Sequence, residues 1–258
     1  MTAEPFSHSR LSVFEQCPRR YRLRYVDKME VEEAVGIEAF AGTIVHDSLE
    51  HLYSRARDGQ MVGCNDLLAH LRNRWDELFD ESALVVRKDA TPHDHLLRAQ
   101  NMLMAYYRGH FPFEEGDTVG LEHELRFCIS GKREHEMVGY IDRLTRLGDG
   151  VYEIHDYKTG KRMPSPAALS KDRQLALYEI GVRRSFPDVR EVHLVWHYLA
   201  YGRELHSRRT AEQLEALEVE TSTLIEEIEE CVHFPCRKGP LCRWCEYTGT
   251  CQEQETGP

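Results

Sequence analysis

No run of about 18 apolar residues occurs in the 258-residue chain, so it offers no segment able to cross a bilayer as a helix. The opening stretch, Met1 to Arg10, lacks the apolar segment of a secretory signal, and a cytoplasmic location is expected on that ground. Internal repeats and low-complexity linkers are also missing, which points to one domain over residues 1–258. Positive charge is in deficit: the net charge of -11 argues against indiscriminate wrapping of nucleic acid, which depends on phosphate neutralisation and counterion release. The deficit is uneven. Glu212 to Glu230 holds eight Glu and no Lys or Arg, whereas Arg10, Arg19, Arg20, Arg22 and Arg24 crowd a short N-terminal stretch that can form a basic face for phosphates.

What is present describes an ordinary water-soluble fold, with 41% hydrophobic and 30% charged residues and enough length to bury a full core. Eight cysteines in a reducing compartment suggest metal or cluster binding before disulfides. Along the chain, Ser12 and Glu15 read as a capping box opening a short helix, and Pro18 suits the first turn of a second one. A helix is expected from Gly42, with Val45, Leu49, Leu52 and Tyr53 on one face and His46 in its first turn. Amphipathic helices over Asp66–Asp80 and Pro92–His110 form a helical insertion at about 57–115.

Thr118–Ser130, His135–Leu147 and Val151–Lys158 read as three successive strands, the last two joined at Gly148-Asp149-Gly150. Ser165-Pro166 opens a helix running through Ser185, Val189–Tyr201 alternates as a strand, and Thr210 with Gln213 caps the Glu-rich helix. The fold class expected is α/β, with helices around a mixed sheet.

The chemistry centres on Tyr152 to Lys161. A strand has a period of two, so Asp156 and Lys158 leave the same face with about 6–7 Å between their Cα atoms. Hairpin pairing about Asp149 sets Asp142 opposite Asp156, and two carboxylates at that separation require a compensating cation or counter-residue. Glu122 and Glu124 on the preceding strand are further acids within reach, and Gln174 and Tyr178 stack four apart on one helix face.

Gly42-Thr43-Ile44-Val45-His46, Gly139-Tyr140-Ile141-Asp142-Arg143, Asp156-Tyr157-Lys158-Thr159-Gly160 and Gln174-Leu175-Ala176-Leu177-Tyr178, in this order, resemble the PD-(D/E)XK nuclease superfamily and its RecB-like branch. Ser9 to Pro18 and the cysteine-rich end join the resemblance, which thus spans nearly the whole chain. It implies a restriction-endonuclease-like core that hydrolyses phosphodiester bonds with Mg2+ or Mn2+. His46, Asp142, Asp156 and the Tyr157 carbonyl would hold the ion, a donor set that suits a hard divalent cation. Lys158 would orient the attacking water and stabilise the transition state as a protonated point charge. Gln174 and Tyr178 would hold the scissile strand, and Glu124, preferred to Glu122, would support the metal site.

The segment 231–258 carries Cys236, Cys242, Cys245 and Cys251 as C-x5-C-x2-C-x5-C. A local four-Cys set could hold a structural Zn2+. The resemblance to iron-sulfur nucleases of the RecB-like branch favours instead a 4Fe-4S cluster held by Cys17, Cys242, Cys245 and Cys251, which would staple the two chain ends; Cys236 is the departure that keeps zinc open. Cys64, Cys128 and Cys231 read as structural.

The function expected from the resemblance is a DNA exonuclease acting on single strands or duplex ends in repair, recombination or processing. Two alternatives stand beside it: a CRISPR-adaptation nuclease that trims ends alongside an integrase partner, and a non-catalytic subunit of a helicase-nuclease complex. The joint presence of Asp142, Asp156 and Lys158 disfavours the last.

Overall fold

A computed structural model describes residues 4–31, 36–80 and 90–255. Residues 81–89 of the expected helical insertion and 256–258 of the cysteine-rich segment lie outside the described residues. In chain order the elements are α1 (His8–Gln16), α2 (Pro18–Tyr21), a π-helical turn (Arg22–Val26), α3 (Ile37–Arg57), α4 (Cys64–Leu78), α5 (Pro92–His110), β1 (Asp117–Ser130), β2 (Glu134–Gly148), β3 (Val151–Lys158), α6 (Pro166–Leu169), α7 (Arg173–Ser185), β4 (Glu191–Tyr198), β5 (Arg203–Ser207), α8 (Ala211–Glu230) and α9 (Thr248–Glu255). The strands form one mixed sheet in the order β1-β2-β3-β4-β5, antiparallel between β2 and β3 and between β4 and β5. The β3–β4 pair is parallel, which a tight turn cannot join, so α6 and α7 supply the crossover. This is the α/β architecture expected.

Several boundaries differ from the sequence reading. Ser7, not Ser12, caps α1 by accepting from the Arg10 amide at 3.1 Å, which places Ser12 inside the helix. α3 starts at Ile37, because Ile37 and Ala41 prolong the buried stripe of Val45, Leu49 and Leu52 by more than a turn. His46 therefore sits in the third turn. The single helix expected from Ser165 to Ser185 is two: Asp172 accepts from the Leu175 amide at 3.1 Å and caps α7 afresh. The strand expected to reach Tyr201 stops at Tyr198 in a 3-10 turn, and Gly202, in the left-handed region at φ 55, reverses the chain into β5.

Two compact units divide the chain, one of Met1–Glu33, Arg126–Val138 and Glu215–Pro258, the other of Ala34–Leu125 and Gly139–Leu214. In the second, Ile37, Ile44, Val45, Leu49 and Leu52 of α3 form one buried cluster with Leu67, Leu71 and Trp75 of α4 and Ala99, Leu103 and Tyr106 of α5. Tyr157 of β3 belongs to the same cluster, its hydroxyl 3.4 Å from that of Tyr106. On the other side of β3 and β4, α7 buries Leu175, Leu177 and Val182. Arg143 is 1% exposed, lies over the Tyr53 ring at 4.0 Å and donates to His155 Nδ1 at 3.1 Å.

In the first unit the chain ends come together through the backbone: the Arg19 amide donates to the Pro235 carbonyl at 3.2 Å and the Phe6 amide to the Glu136 carbonyl at 2.8 Å. Phe14 meets Tyr21 edge-on at 5.4 Å, and Tyr21 stacks with Phe234 at 6.3 Å. The acidic charge of α8 is partly compensated here, since Glu226 and Glu230 pair with Lys132 and Glu229 with Arg133.

Leu52 is fully buried at the centre of the α3–α4–α5 cluster. Leu52→Ala should cost about 2–5 kcal/mol, read as a fall in thermal midpoint; a loss below about 1 kcal/mol would contradict this packing.

Candidate active site

β2 and β3 run as a ladder whose final pair, toward the open end of the hairpin, is Arg143 with His155. One step further the same register sets Asp142 opposite Asp156. There the Asp142 carboxylate takes over from the backbone and accepts from the Tyr157 amide at 2.7 Å. The period of two sends Tyr157 into the helical cluster and leaves Asp156 and Lys158 on the α7 face. Lys158 Nζ lies 2.7 Å from Asp156 Oδ2 and donates to Gln174 Oε1 at 3.3 Å, and Gln174 Nε2 donates to the Tyr178 hydroxyl at 3.3 Å. Tyr178 packs against the bare backbone of Gly139, where a Cβ would stand 2.3 Å from its ring. The glycine of the Gly139–Arg143 motif is thus required by the tyrosine of the Gln174–Tyr178 motif.

α3 delivers His46 to the same place. Its Nε2 lies 2.8 Å from the Tyr157 carbonyl oxygen, and its Nδ1 is 3.5 Å from Asp142 Oδ2 and 4.0 Å from Glu122 Oε1. Gly42, one turn earlier, passes so close to Thr159 that a Cβ would meet its hydroxyl at 3.0 Å. A groove of about 530 Å³ opens beside His46, lined by Gly42, Thr43, Asp47, Glu122 and Thr159 among others.

The structure brings Glu122 to this group and not Glu124. Ligand-capable atoms of His46, Glu122 and Asp142 all lie within 4.8 Å of one another, whereas Glu124 accepts from the Tyr140 hydroxyl at 3.2 Å. The reason is a left-handed residue: Glu122 has φ 41, and the alternation of buried positions changes phase across it, from Gly120 to Leu125 and Phe127. A regular strand would aim both glutamates to the same side, so period-two reasoning could not separate them. Backbone strain of this kind concentrates where a side chain must be aimed.

The carboxylates are crowded and short of positive charge. Burial and the neighbouring Asp156 push Asp142 up to about 7. Burial also raises Asp156, against the pull of Lys158, and raises Glu122, with Asp142 adding to it. Burial works against the Lys158 ammonium, but Asp156 and Asp142 more than offset this and hold it protonated. One lysine among three carboxylates leaves the group in need of a cation. An imidazole, carboxylates and a carbonyl form the oxygen-rich, borderline donor set that Mg2+ or Mn2+ takes, so these residues fit such an ion.

The Asp142 shift has a pH consequence. Between its ordinary 3.8 and about 7 the folded chain keeps a proton that the unfolded chain has released, so metal-free protein loses stability as pH rises through this window. Thermal midpoints of metal-free wild type should fall more steeply from about pH 5 to about pH 8 than those of Asp142→Asn; equal slopes would refute the shift.

Within the first unit, Cys17, Cys236, Cys242, Cys245 and Cys251 line one cavity of about 300 Å³. The Arg237 amide points at Cys17 Sγ and the Gly239 amide at Cys242 Sγ, each at 3.4 Å, the N–H···S arrangement that supports metal-bound thiolates. Burial, with Cys17 and Cys251 beside it, pushes the Cys236 thiol up to about 11. Five crowded sulfurs with amide donors fit a metal ion or a cluster. Cys64, Cys128 and Cys231 lie outside the cavity lining.

No curated protein matches the chain in sequence. Among solved structures, a proposed exonuclease from Eubacterium rectale is similar in fold, with a TM-score of 0.54 at 10% identity over 94% of this chain and 88% of that one. A protein called SSO0001 overlaps 96% of this chain and 85% of its own at 14% identity, with a TM-score of 0.43, too low to carry a shared fold. The sequence pattern of the PD-(D/E)XK nuclease superfamily matches residues 5–252, which takes in both units, and the chain belongs to that superfamily.

Proposed function

We propose that this nuclease is a divalent-metal-dependent deoxyribonuclease that works from single-stranded or duplex ends. The observation that carries the catalytic reading is the convergence of His46, Asp142 and the Tyr157 carbonyl from α3, β2 and β3, with Asp156 opposite Asp142 in the hairpin register and paired with Lys158 on the same strand face. The end preference is supported by the fold shared with the proposed exonuclease.

His46, Asp142, Asp156 and the Tyr157 carbonyl would hold the ion, with Glu122 rather than Glu124 in the supporting place. A bound divalent ion supplies a more acidic water and offsets charge on the phosphate. Lys158, kept charged by its carboxylate neighbours, donates to the attacking water and to a phosphoryl oxygen as charge grows there. Water gives up a proton to solvent as it attacks phosphorus, the bond to the leaving sugar oxygen breaks, and that oxygen takes up a proton from solvent. Gln174 orients Lys158 through their 3.3 Å hydrogen bond and, with Tyr178, borders the place where the scissile strand would lie.

The cysteine cavity supports a 4Fe-4S cluster on Cys17, Cys242, Cys245 and Cys251, because two of these sulfurs, Cys17 and Cys242, face backbone amides. A cluster there would clasp the two chain ends, which both belong to the first unit.

Anaerobically purified protein should degrade end-labelled DNA with Mg2+ or Mn2+ and not with EDTA. Asp156→Ala should abolish cleavage, and Lys158→Ala should slow it about 10²–10³-fold while calorimetry still detects metal binding. Absence of cleavage with either ion would overturn the enzyme reading. The same preparation should be brown, with visible absorbance that Cys17→Ser removes and Cys236→Ser retains; colourless protein with stoichiometric zinc would overturn the cluster.

A further inference from the structure

A second group of metal-ligating side chains lies in the larger unit and takes no part in the nuclease site. α5 ends on His110, β4 carries His197 and β5 carries Glu204; ligand-capable atoms of the three lie within 4.8 Å of one another. They line a cavity of about 270 Å³ together with Tyr106, Tyr198 and Gly202. His110 Nε2 is 2.8 Å and His197 Nδ1 3.3 Å from Glu204 Oε1.

The hydrogen bonds behind His197 determine which of its nitrogens carries the proton. Arg143 can only donate, so His155 Nδ1, 3.1 Å from its guanidinium, is an acceptor. His197 Nε2 faces that same acceptor at 3.0 Å and must therefore be the N–H. In the neutral ring the lone pair is then on Nδ1. This nitrogen is buried and points at a carboxylate oxygen 3.3 Å away. The imidazole nitrogen is buried and the carboxylate is about one-third exposed, and two electron-rich atoms facing each other there call for a cation between them. A proton on Nδ1 would make an imidazolium in a 2% exposed side chain whose hydrogen-bonded neighbour already holds a guanidinium.

From this arrangement we infer that His110, His197 and Glu204 bind a Zn2+ ion, with solvent in the fourth position. Two imidazoles and a carboxylate are a zinc donor set, and tetrahedral bonds of about 2.0–2.1 Å separate neighbouring donors by about 3.3–3.4 Å; His197 and Glu204 stand at 3.3 Å, and His110 Nε2, 2.8 Å from Glu204, would move out by about 0.5 Å to admit the ion. Two of the three ligands have the orienting outer contacts usual in zinc sites: His197 donates to His155, and the second Glu204 oxygen lies 3.3 Å from His206 Nε2. The nearest acid to His110 Nδ1 is Glu115 at 3.8 Å, beyond hydrogen-bond reach. The ion ties the end of α5 to β4 and β5. His197 pairs with Tyr157 in the parallel ladder and their rings are 5.1 Å apart, so the clamp braces from behind the strand that carries Asp156 and Lys158.

The probe is Zn2+ itself, added to the full-length protein after dialysis against a chelator and counted by mass spectrometry of the metal. Glu204→Gln and His110→Asn should each hold one zinc fewer per chain than wild type, and Asp156→Ala should retain that ion. Added zinc should raise the thermal midpoint of wild type and of Asp156→Ala, and the Glu204→Gln and His110→Asn variants should lose that part of the rise. In zinc-saturated protein the ¹⁵N signal of His197 Nδ1 should be that of a metal-bound nitrogen. Equal zinc counts in wild type and Glu204→Gln, or a His197 ring protonated on both nitrogens in the presence of zinc, would overturn the site in favour of a buried ion pair. Neither result bears on DNA cleavage, so the nuclease reading stands or falls separately.

Discussion

Tyr157 is the point on which the nuclease site depends. Its ring is buried in the α3–α4–α5 cluster, its amide donates to Asp142, and its carbonyl faces His46. Because side chains alternate along a strand, seating this one ring in the helical core aims Asp156 and Lys158 at α7. The helical insertion, whose sequence shows no obvious chemistry, thus supplies the wall against which the reactive strand is set. A lone β-hairpin could not hold that orientation, since it would have no second face to bury.

Electrostatics then sets what the site can do. Asp142, Asp156 and Glu122 are all raised from their ordinary values, chiefly by burial, and Lys158 is the counter-charge within hydrogen-bond distance of Asp156. An arrangement that disfavours its own anionic state in this way has stored affinity for a cation. The same reasoning applies to His197 and Glu204, where a lone pair and a carboxylate face each other, and to the five cysteines of the smaller unit. Metal ligation would relieve like-against-like crowding in all three places, with donors graded from oxygen through nitrogen to sulfur.

Local rules carried much of the fold and of the site. The three strands Asp117–Ser130, Glu134–Gly148 and Val151–Lys158 were legible because alternation and the Gly148-Asp149-Gly150 turn act within a few residues, and the hairpin register that opposes Asp142 to Asp156 follows from the turn. The capping box of Thr210 and Gln213 is present as read, with bonds of 2.9 and 3.3 Å. Local signals lose where they compete with burial. Ser12 and Glu15 make a good capping box, yet Ser7 caps the helix; Gly42 looks like a helix start, yet the buried side of Ile37 and Ala41 extends α3 past it.

The amino-acid order by itself determined the residue types of the site and their spacing: Asp142, Asp156 and Lys158 about a hairpin, Gln174 and Tyr178 one turn apart, and cysteines at both ends of one chain. Those are consequences of periods of two and 3.6 residues, which are properties of short segments. Only the tertiary structure decided which glutamate joins His46, because the left-handed backbone at Glu122 shifts the phase of β1. Only it joined His110, His197 and Glu204, which stand on three elements with no common motif. Convergence of that kind depends on the packing of α5 against the turn that follows β4, a long-range contact that no local period encodes.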